Sequence, residues 1–307
     1  ALYHRASLLA RARTLTCISD KGSPVDYNRA YTTWPRYKVT TREVGQALGN
    51  RREWLLLLGS VVGLIVLTVL LPGGPLDKAD RLGYAACHQI PARSYWVGGR
   101  PMPLCARCSG SYLGALAGLA LLVLTGRGRA RLIPPTRVLV VLVAFLALWL
   151  LDGLNSYLAL IGLPHLYEPR NLYRAVSGSL QGLTISVLIL PFLNVNLWAQ
   201  TQAMPTLRNL KEAAALPLVT AVIALGLQSG LEGVLFPLAL LSTVGLLVLF
   251  AIPNTVALVL ILGRDGQITR RLEAAAFLAV GLALSLAEMS GISLWKGIIS
   301  GVLRLPL

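Results

Sequence analysis

From residue 54 onward, apolar stretches of around twenty residues alternate with short polar connections. Each stretch is long enough, as a helix, to cross about 30 Å of hydrocarbon. The pattern predicts spans at 54–72, 109–126, 137–159, 173–196, 214–235, 237–262 and 272–295. Membrane barrel strands alternate apolar and polar residues, whereas Trp54–Leu71 and Val138–Leu151 are almost continuously apolar. The expected fold is therefore an all-α polytopic bundle of about seven spans. The division between the fifth and sixth spans rests on Gly230, Gly233 and Pro237 acting as breakers.

Residues 1–53 are different: polar, without an apolar run, and carrying Arg5, Arg11, Arg13, Lys21, Arg29, Arg36, Lys38, Arg42, Arg51 and Arg52. They lack the apolar core and small-residue cleavage site of a signal peptide. They read as a basic cytoplasmic tail, with Leu2–Leu15 either a short helix on a membrane surface or part of a solvated segment. The expected organisation is a tail at 1–53, a membrane domain at 54–196 with an external Cys/His loop, and a three-span region at 197–307.

Composition sharpens this picture. The 307 residues are 55% hydrophobic and only 13% charged, against about 25% charge in ordinary soluble domains, so a soluble enzyme is excluded. A net charge of +15 would by itself suggest nucleic acid. Here the basic residues fall in the tail and in connections, where they set topology and meet anionic headgroups. The expected partner is the lipid bilayer, with no nucleic acid. Arg127, Arg129, Arg131 and Arg137, then Arg208 and Lys211, then Arg264, Arg270 and Arg271 lie on the same side as the tail, which makes that side cytoplasmic. Trp54, Trp198 and Trp295 sit at expected span ends, as interfacial tryptophans do.

Three of the four cysteines, Cys87, Cys105 and Cys108, fall in one short external segment, and Cys17 stands alone in the tail. Cys105-x-x-Cys108 opens the second span, where helix amides lower thiol pKa. Three chemistries compete. A metal site, most simply zinc, needs four N or S ligands: Cys105 and Cys108, then Cys87 or His88, with Asp152, His165 or a water as the fourth. Neighbouring side chains of an extended chain diverge, so Cys87 and His88 binding one ion together is not the default. Thiol redox is the second chemistry, and a structural disulfide the third. Covalent haem is not expected, because Ser109 follows Cys108 where that chemistry needs histidine.

The stretch CHQIPARSYWVGGRPMPLCARCSGSYLG from Cys87 resembles an uncharacterised family of bacterial integral membrane proteins, a domain of unknown function. Its signature runs Cys-His-Gln, Arg-Ser, then Pro-Leu/Val-Cys-Ala-Arg-Cys-Thr/Ser-Gly-x-Tyr-x-Gly. The likeness continues through Asp152-Gly153 and into Arg170-Asn171, Arg174 and Ser177-Gly178, covering about residues 84–183. Serine replaces the usual threonine at Ser109 and Ser177, and Asn155-Ser156 stands where Thr-Gln is expected. The resemblance implies a fold neighbourhood and, with the charge pattern, a multi-pass place in the cytoplasmic (inner) membrane of a bacterium; it carries no activity.

Ionisable groups inside spans usually face a partner or a cavity. Asp152 and Asn155 share a helix face, and Arg174, Ser177 and Gln181 occupy the external part of the fourth span. With Arg170 and Asn171 they suggest one external-leaflet polar site, in which Asp152 pairs with Arg174 or holds a metal-bound water as a candidate catalytic group. Gly110, Gly114 and Gly118 recur every four residues and let another helix approach closely, either internally, such as the third span, or in a partner subunit. Glu232, Glu288 and Asn254 each stand without an obvious relay. The leading expectation is an external zinc-binding Cys/His cluster, structural or serving a membrane hydrolase. The alternatives are a non-catalytic subunit of a larger membrane complex, a thiol-disulfide redox protein, and a transporter.

Overall fold

A computed structural model describes residues 73–303 and scattered positions between 55 and 69. The tail with Cys17, and nearly all of the expected span at 54–72, lie outside the described residues. Residues 47–307 form one unit.

The first element described in full is too short to span. Helix α1 (Pro75–Ala86) starts with proline in its first turn, and the Asp77 carboxylate accepts the Gly74 N–H at 2.7 Å. This satisfies one of the amides that a helix start leaves open. A short hairpin follows, pairing β1 (Trp96–Val97) with β2 (Arg100–Pro101). Arg100 ties it back to α1 through ion pairs with Asp77, at 2.6 Å, and Asp80.

The long helices then run in sequence: α2 (Ala106–Leu124), α3 (Thr136–Leu160), α4 (Asn171–Leu197), the short α5 (Leu210–Ala213) running into α6 (Ala215–Gln228), α7 (Glu232–Ile261) and α8 (Arg271–Leu303). Six helical segments among the described residues are long and apolar enough to span, with α5 and α6 counting together; they correspond to the second to seventh expected spans. Many large apolar side chains on them are exposed, including Leu150, Leu218, Val222, Leu225 and Ile261. That is unusual for a surface meeting water and ordinary for one meeting lipid.

The α6–α7 boundaries differ from expectation, and α8 runs eight residues past the expected end at 295. The fifth expected span, 214–235, stops at Gln228, and the chain turns at Gly230, whose φ of +68° suits glycine. Gly233 and Pro237 break nothing; both lie inside α7. Pro237, the sixth residue of α7, gives up the bond an amide there would make to the Gly233 carbonyl, and the helix runs on through it.

Helix α4 is the centre of the bundle, with 67% of its most apolar window buried against 22% for α3. Its closest neighbour is α2. The glycine stripe on α2 faces α4, not α3: a Cβ on Gly110 would lie 2.4 Å from the Ala175 carbonyl oxygen, and one on Gly114 would lie 2.4 Å from that of Ser179. Helix α4 answers with Gly178 and Gly182, where an added Cβ would come within 2.2 Å of Arg107 O and 1.9 Å of Ser111 O. The backbones therefore touch, and α2 is held rigidly. Helix α7 packs on the other side of α2, and Gly245 meets the Tyr112 carbonyl.

The connections after α2, α4 and α7 meet at the far end of the bundle. There β3 (Ala130–Leu132) pairs in parallel with β4 (Gln202–Pro205), and Trp198 bridges Ile268. Arg129 lies 4.0 Å above the Trp198 ring, Arg127 grips Glu212 at 2.5 Å, and Arg264 pairs with Glu273.

Candidate metal centre and arginine cluster

The opposite end of the bundle holds the cysteines. Cys87 ends α1 in an extended conformation, and Cys105 occupies the N-cap of α2 without capping it through its side chain. Two features bring these ends together. A Cβ at Gly83 would lie 2.3 Å from the Pro103 carbonyl oxygen, so only glycine permits the approach. Gln89, in the left-handed region at φ 49°, donates from Nε2 to the carbonyls of Asp80 at 2.7 Å and Pro103 at 2.8 Å. Gln89 thereby clamps the end of α1 to the loop that leads into α2.

The result is three free thiols whose sulfurs all lie within 4.8 Å of one another. Tetrahedral zinc with bonds of about 2.3 Å separates its sulfurs by about 3.8 Å, so small side-chain adjustments would place Cys87, Cys105 and Cys108 around one ion. The donor set suits a soft or borderline metal. Cys87 is 3% exposed. Hydrogen bonds from the Cys105 and Cys108 thiols hold the Cys87 sulfur as a thiolate, down at about 2, against the burial that opposes its charge. The amides of Cys105, at 3.3 Å, and Gln89, at 3.4 Å, add to this.

The other expected ligands are outside this group. His88 is exposed and lines the cavity beside the sulfurs without joining them, because consecutive residues of the extended segment point apart. His165 is exposed in the α3–α4 connection, its Nε2 3.2 Å from Glu168 and its Nδ1 3.3 Å from the Leu163 carbonyl. Those contacts raise its pKa, the Leu163 carbonyl more than Glu168.

Asp152 is buried and pairs with Arg107, not Arg174. Arg107 donates from Nε to the carboxylate at 3.1 Å and from an Nη to the Asp152 carbonyl at 2.9 Å. The Tyr167 hydroxyl donates at 2.8 Å and Ser177 Oγ at 3.0 Å to the same carboxylate. Burial, then this bond to Asp152, raises the Tyr167 phenol to about 12. A carboxylate so fully engaged fits anchoring of Arg107 better than proton transfer.

Asn155 works on the connection. Its Oδ1 accepts the amides of Leu166 at 2.7 Å and Tyr167 at 3.3 Å, and its Nδ2 donates to the Tyr167 carbonyl at 2.8 Å. Asn171 accepts from Arg174 at 2.9 Å and donates to the Ser94 carbonyl at 3.3 Å. Arg170 is exposed and caps α4 through its backbone only. Further down the bundle, Glu288 is not isolated: Asn254 Nδ2 donates to it at 2.8 Å. Glu232 sits in the first turn of α7, the favourable end of a helix for a carboxylate.

Residue-by-residue reading of the sequence passed over a convergence on Ser156. Arg107 donates to its hydroxyl at 2.9 Å, Arg174 Nε to the same oxygen at 3.4 Å, and Arg93 to its carbonyl at 3.0 Å. Ser156 stands out in the sequence only as a departure from a motif. The signal available was Arg107 inside Cys-x-x-Cys, between Cys105 and Cys108 in the chain.

With this geometry in view, residues 87–188 match the family described as "Predicted membrane protein (DUF2085)". An uncharacterized protein of Methanocaldococcus jannaschii is 34% identical over 105 residues, which is 34% of this chain and 62% of that protein. The chain thus spans a little under two thirds of that relative. No solved structure matches. Together with the six apolar helices, the family likeness makes this a multi-pass membrane protein whose three-cysteine group could hold a metal ion.

Proposed function

We propose that this protein binds zinc through Cys87, Cys105 and Cys108 at the outer end of its bundle, in a cytoplasmic membrane of bacterial type. The observation that carries the reading is the mutual approach of three sulfurs to within 4.8 Å, drawn from two segments that Gln89 and Gly83 clamp together. The metal would close the α1–α2 connection onto the rigid α2–α4 pair, and that structural role is the core of the proposal. Orientation follows from the opposite end, where Arg127, Arg129, Arg131 and Arg208 gather around the strand pair, as the positive-inside rule requires of a cytoplasmic face.

Three thiolates leave one tetrahedral position for a ligand from outside the cysteine set. At that position zinc supplies Lewis-acid polarisation. The chain's own contribution is the cavity beside the sulfurs, into which Arg93, Arg107 and Arg174 also reach. Cobalt substitution tests the centre. Protein stripped of metal and loaded with Co2+ should show the intense sulfur-to-metal absorption of thiolate ligation and lose it in Cys105→Ser; a spectrum like that of aqueous Co2+ would overturn the proposal.

A further inference from the structure

The cavity next to the cysteines has a volume of about 360 Å3, more than a bound metal and its water require, and three arginines line it. Their arrangement is costly. Arg174 is 7% exposed, and Arg93 and Arg107 stand close enough to repel it. Like charges brought together at low dielectric are unfavourable unless something compensates them. Asp152 compensates Arg107. Among the described residues, neither Arg93 nor Arg174 has a carboxylate within 4.0 Å; their partners are the neutral oxygens of Ser156 and Asn171. A zinc tris-thiolate counts as one negative charge, so with Asp152 it still leaves the three guanidiniums in excess.

We propose that this cavity binds the phosphate group of a phosphate ester. Guanidinium groups recognise phosphate through paired, charge-assisted hydrogen bonds, and three of them around one centre match a tetrahedral oxyanion better than a planar carboxylate. The geometry of approach is fixed by Ser156, which holds all three arginines at the mouth of the cysteine centre. The ester's organic part has a place as well. Tyr157 and Leu160, each 56% exposed at the end of α3, form an apolar side of the same cavity. The inference rests on the zinc reading only for its charge count; the arginine geometry stands without it.

The test titrates the purified full-length protein in detergent with inorganic phosphate and, separately, with dioctanoyl phosphatidic acid, following binding by phosphorus NMR and recording zinc content in each sample. Wild type should bind at least one probe, and Arg93→Gln and Arg174→Gln should each weaken it by about tenfold or more. Arg81→Gln, at an exposed position outside the cavity, should not. Binding of inorganic phosphate assigns a soluble source, and binding of the lipid alone assigns the bilayer. Half-buried Arg93 carries the test if the Arg174 variant does not fold, with partial rescue expected in Arg93→Lys. Failure to bind either probe, or equal binding by the Arg93 variants, overturns the inference. Protein that holds zinc but ignores both probes removes the phosphate site alone; protein that binds phosphate without zinc removes the metal centre alone.

Discussion

Arg107 on α2 reaches across to Asp152 on α3 and holds both its carboxylate and its main-chain carbonyl. The same arginine lies between two cysteines of the sulfur group, so one side chain links that group to the polar interior of the bundle. Removing the carboxylate strands a charge in a site where Arg107 is only 19% exposed. Asp152→Asn is therefore expected to cost about 3 kcal/mol, read as a lowered midpoint of thermal unfolding in detergent. Asp152→Asn combined with Arg107→Met should recover part of the loss. Equal midpoints for wild type and Asp152→Asn would contradict this account.

The α2–α4 contact makes a contrasting pair of substitutions. Gly182→Ala places a methyl 1.9 Å from a backbone oxygen of α2, and backbone cannot turn aside as a side chain can. A loss of about 1–3 kcal/mol is expected. Gly233→Ala, where a Cβ meets nothing within 4 Å in α7, should be neutral or stabilising by about 0.5–1 kcal/mol. Unfolding of both variants under one detergent condition checks the sign of each.

The Gln89 side chain is no ligand, yet it sets the distance between Cys87 and Cys105 while its amide donates to the Cys87 sulfur. Gln89→Ala removes both clamps on the Asp80 and Pro103 carbonyls. Zinc affinity should fall about tenfold or more, in the manner of other residues that orient ligands from behind. Competition with a chromophoric chelator measures it, and an unchanged affinity would show that the clamp is dispensable.

The helices were legible because spanning length and continuous apolarity are local properties. The ranges 109–126, 137–159 and 173–196 fall within three residues of helix ends, whereas 237–262 starts five residues late and 272–295 stops eight short of Leu303; 214–235 failed because Gly230, Gly233 and Pro237 carry similar breaking propensity and only Gly230 needed a positive φ. Pairings were less legible. Arg107 and Arg174 are equally basic, and which one meets Asp152 depends on how α2 rotates against α4. The partner of the glycine stripe was similarly hidden. Its answer lies in Gly178, Ser179 and Gly182, whose small size shows in the sequence but whose facing does not. The cysteines were legible as a cluster through their spacing, while the place of His88 outside the three-sulfur group required the extended end of α1.

The central claim is a metal ion held by three sulfurs, and elemental analysis of the purified protein addresses it most directly. Wild type, prepared under reducing conditions without chelators, should carry about one zinc per chain. Cys87→Ser, Cys105→Ser and Cys108→Ser should each carry little or none, while His88→Ala retains it. Metal-free wild type with three titratable thiols or an intact disulfide among them, or zinc that persists in all three serine variants, would contradict the account.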